Sequence, residues 1–309
     1  MKFHSNGKLL ITGEYAVLDG ALALAVPSRF GQSLEIDPRE DTLIVWKSLD
    51  NKNQVWFETE FQIGEIKDAS NVNLIKSENE QKNISERLLH ILQQAHLLNP
   101  VIFAENRGFT MTSRLEFPRE WGLGSSSTLI NNIAQFFQID AYVLLKTTFG
   151  GSGYDIAAAQ HDHPITYQLT ETKRSVLTVD FNPDFMDELF FVHLNRKQNS
   201  RDSIKHYKQQ PGEFLEENIA KINALTQSFI YCASLEEFKL LMTIHETLIS
   251  KLIHTPKIKS ELFPDFPGAI KSLGGWGGDF ILATGGEPER AYFKEKGYQT
   301  LLSYAEMVK

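Results

Sequence analysis

Glycine and hydroxyl residues cluster in one short loop whose composition suits the binding of phosphate. The loop runs Gly122, Leu123, Gly124, Ser125, Ser126 and Ser127. Its glycines permit left-handed backbone angles and close approach to a ligand, and its hydroxyls can reach phosphate or a magnesium ion. The loop therefore predicts an anion site, where backbone N–H groups at the start of a helix would bind phosphate.

The elements on either side of this loop must position it. Apolar and polar residues alternate over residues 109–117, which is typical of a half-buried strand, and apolar residues recur at helical spacing over 129–137. The loop is not a Walker A motif, because no lysine follows its glycines in the order G-x-x-x-x-G-K-[ST]. Taken alone, it also fits a serine-capped helix after a glycine turn.

Two charged residues are candidates for catalysis. Asp155 follows a Gly-Ser-Gly turn and precedes a helical run, so it should lie in the first turn of a helix. A carboxylate there can accept a proton from a reacting group, although an isolated aspartate at this place is more simply a helix cap. Lys8 precedes an apolar strand, where a solvated lysine is the common alternative.

Four segments together resemble the GHMP kinases, a family that includes galactokinase, homoserine kinase, mevalonate kinase and phosphomevalonate kinase. They are the glycine and serine loop, residues 6–20, residues 151–157 and residues 274–279. By this resemblance, loop residues 122–127 bind the phosphates of ATP and the Ser126 hydroxyl binds Mg²⁺. The resemblance also makes Asp155 the residue that accepts or orients the acceptor's proton, and pairs it with Lys8.

The resemblance further implies which residues contact the phosphoryl acceptor. They are Glu14, Ser152, Gly153, Lys197, Ser200, Gly277 and Gly278. The basic loop at 195–201 suits a carboxylate or phosphate, and a solvated surface loop is the alternative. Trp276 and Asp279 stand where relatives have small residues, which predicts a changed pocket near the acceptor.

Strand-like runs, among them residues 22–26, 33–36 and 298–302, occur together with helical segments, and this order predicts an α+β protein. The resemblance implies two lobes, an N-terminal lobe of the ribosomal-protein-S5 domain-2 type over residues 1–182 and a C-terminal ferredoxin-like lobe over 183–309. It places the active site between them.

Composition limits the class of partner. The 309 residues carry 31 basic and 39 acidic side chains, a formal net charge of −8, which argues against nucleic acid or an anionic membrane as partner.

Cys232 is the single cysteine and is expected to pack as a small hydrophobe on a helix. With neither a signal peptide nor an apolar run of bilayer length in the sequence, we expect a cytoplasmic protein.

These observations predict an ATP- and Mg²⁺-dependent kinase that transfers the γ-phosphoryl group to a small anionic isoprenoid precursor, mevalonate or phosphomevalonate. The alternatives are another GHMP sugar or alcohol kinase, diphosphomevalonate decarboxylase, and a noncatalytic nucleotide-binding regulator. The presence of both Lys8 and Asp155 favours catalysis, since a pure binder has no need of the pair. A homodimer is compatible with the sequence.

Overall fold

The computed structural model describes residues 1–68, 79–171, 173–196, 200–209 and 215–309. These residues divide into two compact units. The first comprises Met1–Gly7, Phe30–Arg119 and Gly124–Gln160, and the second comprises Lys8–Arg29, Glu120–Leu123 and His161–Lys309. The predicted domain boundary at residue 182 stays a prediction.

Strands of the first unit come from the early part of the chain. They are β1 (Lys2–Thr12) and β2 (Ala23–Pro38), which also continue into the second unit, and β3 (Leu43–Leu49), β4 (Val55–Gln62) and β5 (Phe109–Leu115). Their order is β4-β3-β5-β2. β3 runs parallel to β5, with Ile44 opposite Phe109, and the other two pairs are antiparallel.

Among the described residues of this unit, five α-helices cover the core. They are α1 (Ile63–Lys67), α2 (Glu80–Leu98), α3 (Ser125–Phe137), α4 (Ala141–Thr148) and α5 (Tyr154–Ala159). α3 packs against α2, α4 and α5. Large apolar side chains such as Trp46, Phe103 and Phe137 fill the core beneath them and are almost fully buried. Burial of this apolar surface is the main force that fixes α3 and α5.

Six further strands are formed by the residues that the structure describes in the second unit. They are β6 (Ile165–Leu169), β7 (Arg174–Thr178), β8 (Leu189–His193), β9 (Ile270–Ser272), β10 (Phe280–Thr284) and β11 (Leu301–Ser303). The last four form an antiparallel sheet in the order β11-β8-β10-β9, with Ile281 opposite Val192. β6 pairs with β7 and with residues 23–25 of β2.

Six α-helices lie in the described part of the second unit. They are α6 (Ser200–Lys208), α7 (Leu215–Tyr231), α8 (Leu235–Leu252), α9 (Ile258–Leu262), α10 (Glu287–Glu295) and α11 (Tyr304–Met307). α8 packs against α7 and β9, which matters below because it carries buried charged residues. None of the helices in the described ranges has the length and hydropathy that a bilayer crossing requires.

Three details differ from the sequence-based expectations. The strands expected at 22–26 and 33–36 form one continuous strand, β2, despite Pro27 and Gly31 between them. The last strand covers Leu301–Ser303, not residues 298–302. Cys232 lies just after α7 and is half-buried, so the prediction that it packs on a helix was wrong. Its thiol donates to the Ser234 carbonyl, which ties it to the turn that precedes α8.

Candidate active site

The glycine and serine loop takes the conformation that its composition predicts. Gly122 and Gly124 have φ angles of +65° and +88°, and α3 begins directly after Gly124. The N-cap residue of α3 is Gly124, so no serine caps the helix from the N-cap position. The alternative interpretation, a serine-capped helix after a glycine turn, required such a cap. Ser126 is exposed and Ser125 and Ser127 are half-buried. The hydroxyls therefore lie in the first turn of α3, beside the backbone N–H groups of its N-terminus.

A buried polar network fixes α3 within the first unit. Thr128 donates its hydroxyl to the Gln32 side-chain oxygen over 2.5 Å, and Asn132 donates to the Gln32 carbonyl over 2.8 Å. Ser5 donates to the Asn132 side chain, and Asn131 donates to Ser5. Buried polar groups that are fully paired hold a unique geometry. The polar side chains within this apolar helix were the signal for the network, which the sequence reading missed.

Asp155 occupies the predicted place in the first turn of α5. Gly153 precedes the helix with a φ of +88°, Ser152 is buried and Asp155 is half-buried. At the other end of α5, Gln160 donates to the Asn131 side chain over 2.8 Å. The network that fixes α3 therefore also fixes α5, so the first unit holds its hydroxyl loop and its candidate carboxylate on connected helices.

In the second unit, Lys8 lies against the glycine end of the loop. Its ammonium donates to the Gly122 carbonyl over 3.4 Å, and its backbone N–H donates to the Leu123 carbonyl over 3.0 Å. The ammonium is also 3.8 Å from the position that a Cβ on Gly274 would take. Lys8 is thus half-buried between two glycine motifs, which differs from the solvated strand-end lysine of the alternative reading.

Asp279 approaches the same loop glycine from the last glycine motif. A Cβ added to Gly122 would lie 2.2 Å from Cγ and Oδ2 of Asp279, so the carboxylate occupies the space of that missing side chain. Asp279 is only 7% exposed and has a φ of +52°. Its backbone pairs with Leu194 and Arg196, which follow β8. The last glycine motif is therefore attached to the residues after β8.

The predicted acceptor residues of the second unit are only partly described. Gly277 has a φ of +87°, and a Cβ on it would lie 3.9 Å from Nη2 of Arg196. The N–H of Gly278 donates to the Gly275 carbonyl. Lys197 lies outside the described residues, and Ser200 is the first residue of α6. Among the described residues of the basic loop, Arg196 lies near the last glycine motif.

An aromatic contact that the sequence reading missed joins the first motif to the last. The backbone N–H of Trp276 donates to the Tyr15 hydroxyl over 2.8 Å, and its indole N–H donates to the Pro256 carbonyl. Both aromatic side chains belong to one buried cluster in the second unit, which also contains Tyr207. Trp276 is therefore a core residue that fixes the glycine motif.

Glu14 belongs to a buried cluster of charged and titratable side chains. Lys271 donates its ammonium to the Glu14 carboxylate, and His245 Nε2 lies 3.4 Å from the other Glu14 oxygen. Glu246 is 3.8 Å from the Lys271 ammonium. Glu14 is completely buried, so contact with an acceptor would require exposure of its side chain. The sequence reading did not identify Lys271, His245 or Glu246.

Burial controls the protonation of this cluster. It raises the pKa of Glu246 to about 8, with the Lys271 ammonium opposing the shift, so this carboxyl carries a proton at neutral pH. Burial, followed by the Lys271 charge, holds the pKa of His245 well below its usual value. A neutral His245 agrees with its contact, because Nε2 accepts the Gly13 N–H over 3.3 Å. Burial also raises the pKa of Glu14, and the Lys271 ammonium, which contacts this carboxyl, opposes that shift.

The variant Glu246→Gln is expected to flatten part of the pH dependence of stability. The glutamine can still accept the Ser272 N–H, which Glu246 accepts over 3.0 Å. Between the unfolded value of 4.5 and the folded value of about 8, the folded protein keeps a proton that the unfolded chain releases. The retained proton therefore stabilises the folded wild-type protein at low pH. Its contribution to the free energy of unfolding is lost as the pH rises from 4.5 to about 8.

Urea unfolding from about pH 5 to about pH 9 measures this effect. The free energy of unfolding of the variant minus that of the wild type is expected to rise with pH by up to about 1.4 kcal/mol per unit and to level off above the pKa of Glu246. A difference that does not change across this range would contradict the protonated Glu246.

Comparisons with solved structures place the whole chain in a known fold. It aligns with the Methanococcus jannaschii mevalonate kinase at a TM-score of 0.70 and 19% identity, covering 98% of this chain and 96% of the other. The Streptococcus pneumoniae phosphomevalonate kinase in complex with phosphomevalonate and AMPPNP gives 0.66 and 17%, covering 98% and 99%. The Lactococcus lactis galactokinase complexed with galactose gives 0.64 and 14%, covering 98% and 92%.

Comparison by sequence gives no such relation. A scan of protein-family models and a search of curated proteins each found no match. The structural likeness nevertheless covers nearly the full length of each chain. The protein therefore has the fold of the GHMP kinases, and the α+β class predicted from the sequence is confirmed.

Proposed function

We propose that this protein is an ATP-dependent kinase that transfers the γ-phosphoryl group to a small anionic isoprenoid precursor, mevalonate or phosphomevalonate. The observation that carries the proposal is the position of Lys8, whose ammonium lies on the Gly122 carbonyl and beside Gly274. A cation held between two glycine motifs suits the charge that builds on a transferred phosphoryl group. We expect the enzyme to act in the cytoplasm.

The residues present fit a magnesium–nucleotide complex. Gly122 and Gly124 adopt left-handed angles, which a glycine tolerates and which turn the loop into the N-terminus of α3. Loop residues 122–127 would hold the phosphates through backbone N–H groups, and the exposed Ser126 hydroxyl would bind the metal. Mg²⁺, when bound with the nucleotide, would neutralise the phosphate charge during transfer.

Asp155 and Lys8 have distinct proposed roles. Asp155 would accept the proton of the attacking oxygen, or orient that oxygen, from the first turn of α5. Lys8 would stabilise negative charge on the transferred group. Ser152 and Gly153, which form the turn before α5, would contact the acceptor next to Asp155.

An anionic acceptor is the class that the described cations favour. Arg196 lies beside Gly277, and an arginine can bind a carboxylate or phosphate through two parallel hydrogen bonds. Glu14, Lys197, Ser200 and Gly278 complete the proposed acceptor residues. Among the structures compared above, one contains phosphomevalonate and another galactose, so both acceptor classes need testing.

Product analysis with separate acceptors tests this proposal. Purified protein with ATP and Mg²⁺ is offered mevalonate, phosphomevalonate, diphosphomevalonate or galactose, and ADP, inorganic phosphate and carbon dioxide are measured. We expect ADP that depends on mevalonate or phosphomevalonate, with Asp155→Asn as the inactive control. ADP with galactose alone would favour a sugar kinase, and carbon dioxide from diphosphomevalonate would favour the decarboxylase. Tight ATP binding without turnover of any acceptor would favour the noncatalytic regulator.

A further inference from the structure

The turn after β1 contains a residue in a backbone conformation that side chains rarely adopt. Tyr15 has φ and ψ angles of +60° and −48°, and the Ala16 N–H donates to the Glu14 carbonyl over 2.6 Å. A hydrogen bond between residues two apart closes a γ-turn, and a positive φ at its centre gives the strained form of that turn. Such strain persists only where the surrounding structure holds it, and it is common at functional sites.

Contacts of the two residues before Tyr15 hold this turn. The Gly13 N–H donates to His245 Nε2 over 3.3 Å, and the Glu14 side chain accepts from the Lys271 ammonium. Both partners are buried, and they lie on α8 and β9 of the second unit. The backbone on the N-terminal side of Tyr15 is therefore attached to the interior of that unit.

The side chain of Tyr15 connects the strained turn to the last glycine motif. Its ring is buried and lies 5.7 Å from the Tyr207 ring, measured between centroids. Its hydroxyl oxygen accepts the Trp276 N–H over 2.8 Å. Burial raises the pKa of the Tyr15 hydroxyl above its usual value, so the group stays neutral at neutral pH. The strained turn thus directs a neutral hydroxyl at the main chain of the motif.

Trp276 lies in the middle of the motif, between two glycines that are each close to a cation. A Cβ on Gly274 would lie 3.8 Å from Nζ of Lys8, and a Cβ on Gly277 would lie 3.9 Å from Nη2 of Arg196. The hydrogen bond to the tyrosine hydroxyl therefore fixes the backbone between these cations. One of them is proposed to stabilise the transferred phosphoryl group, and the other to bind the acceptor.

We propose that Tyr15 is a positioning residue whose hydroxyl holds the last glycine motif in the conformation that binds the acceptor. This inference rests on the proposed function. The strained turn serves this role because its angles direct the hydroxyl at the Trp276 N–H, and relaxation of the turn would move the hydroxyl away. The buried contacts of Gly13 and Glu14 prevent that relaxation.

Kinetics of Tyr15→Phe test the positioning role. The variant keeps the buried ring and removes the hydroxyl that accepts the Trp276 N–H. We expect the KM for the acceptor found by product analysis to rise at least about fivefold, the change that corresponds to loss of one neutral hydrogen bond, while the KM for ATP changes less than about twofold. Hydrogen exchange measured by mass spectrometry should be faster in peptides that cover residues 274–278.

Tyr304→Phe is the matched control. Tyr304 is also a buried tyrosine of the second unit, and its hydroxyl also contacts the main chain, donating to the Phe181 carbonyl over 3.2 Å. This variant should leave both KM values, and the exchange of residues 274–278, as they are in the wild type.

Two results would overturn the role of Tyr15 alone: an acceptor KM in Tyr15→Phe raised less than about fivefold, or an equal rise for acceptor and ATP. Wild-type protein that turns over no acceptor would overturn the proposed function and the positioning role with it. Should Tyr15→Phe fail to fold, Trp276→Phe replaces it, because it releases the same motif from the Pro256 carbonyl. The acceptor KM should again rise, and an unchanged value would contradict the inference.

Discussion

Asp155→Asn is expected to lower kcat by about 100-fold to 10,000-fold, the usual contribution of a positioned general base. Asparagine has nearly the same shape but cannot accept the proton of the acceptor oxygen. Asp155 lies half-buried in the first turn of α5, where loss of its charge should cost only about 0.3–1 kcal/mol of stability. Steady-state kinetics with the acceptor found by product analysis, together with thermal unfolding, measures both effects.

Lys8→Met, the second variant of the proposed catalytic pair, is also expected to lower kcat. It removes the ammonium on the Gly122 carbonyl and keeps most of the apolar stem. We expect a loss of kcat of at least about 100-fold, similar to that for removing one donor to a developing charge. Lys221→Met is the matched control, because Lys221 pairs with Glu217 on the exposed surface of α7. Full activity in both Asp155→Asn and Lys8→Met would refute the assignment of the pair.

Lys271→Met is expected to cost about 3–5 kcal/mol of unfolding free energy. The substitution leaves the Glu14 carboxylate completely buried without its partner, and burial already raises the pKa of that carboxyl. The Lys271 ammonium also donates to the Ser272 carbonyl over 3.0 Å, and this bond is lost too. Urea unfolding at neutral pH measures the change.

A double variant distinguishes loss of the ion pair from loss of packing. Adding Glu14→Gln to Lys271→Met removes the unpaired charge, so most of the lost stability should return. The surface pair Lys221 with Glu217 again serves as comparison, where Lys221→Met should cost less than about 1 kcal/mol. If the double variant were no more stable than Lys271→Met, the buried charge would not be the cause.

The sequence predicted those parts of the site whose signals are local. The alternation over 109–117, the glycines of the loop and the periodicity over 129–137 lie within thirty residues, and they correctly predicted β5, the left-handed turns and α3. Asp155 was likewise placed in the first turn of α5 by the adjacent Gly-Ser-Gly turn. In each case the order of residues along the chain determines the conformation.

The contacts that the sequence did not predict join residues far apart in the chain. Lys271 and Glu14 are separated by 257 residues, and no periodicity reports such a pair. Lys271 lies in the three-residue strand β9, where an apolar residue would be expected. The runs at 22–26 and 33–36 belong to the single strand β2, which continues through Pro27 and Gly31 and pairs with β6 over residues 23–25 and with β5 over residues 32–38.

The most direct test of the proposed active site is a crystal structure with AMPPNP, Mg²⁺ and the acceptor bound. The account predicts that the nucleotide phosphates lie on the N–H groups of residues 122–127, with the Lys8 ammonium against the terminal phosphate. It also predicts that the Asp155 carboxylate lies within hydrogen-bond reach, about 2.6–3.2 Å, of the acceptor oxygen. A nucleotide bound elsewhere, or Lys8 and Asp155 facing separate surfaces, would contradict it.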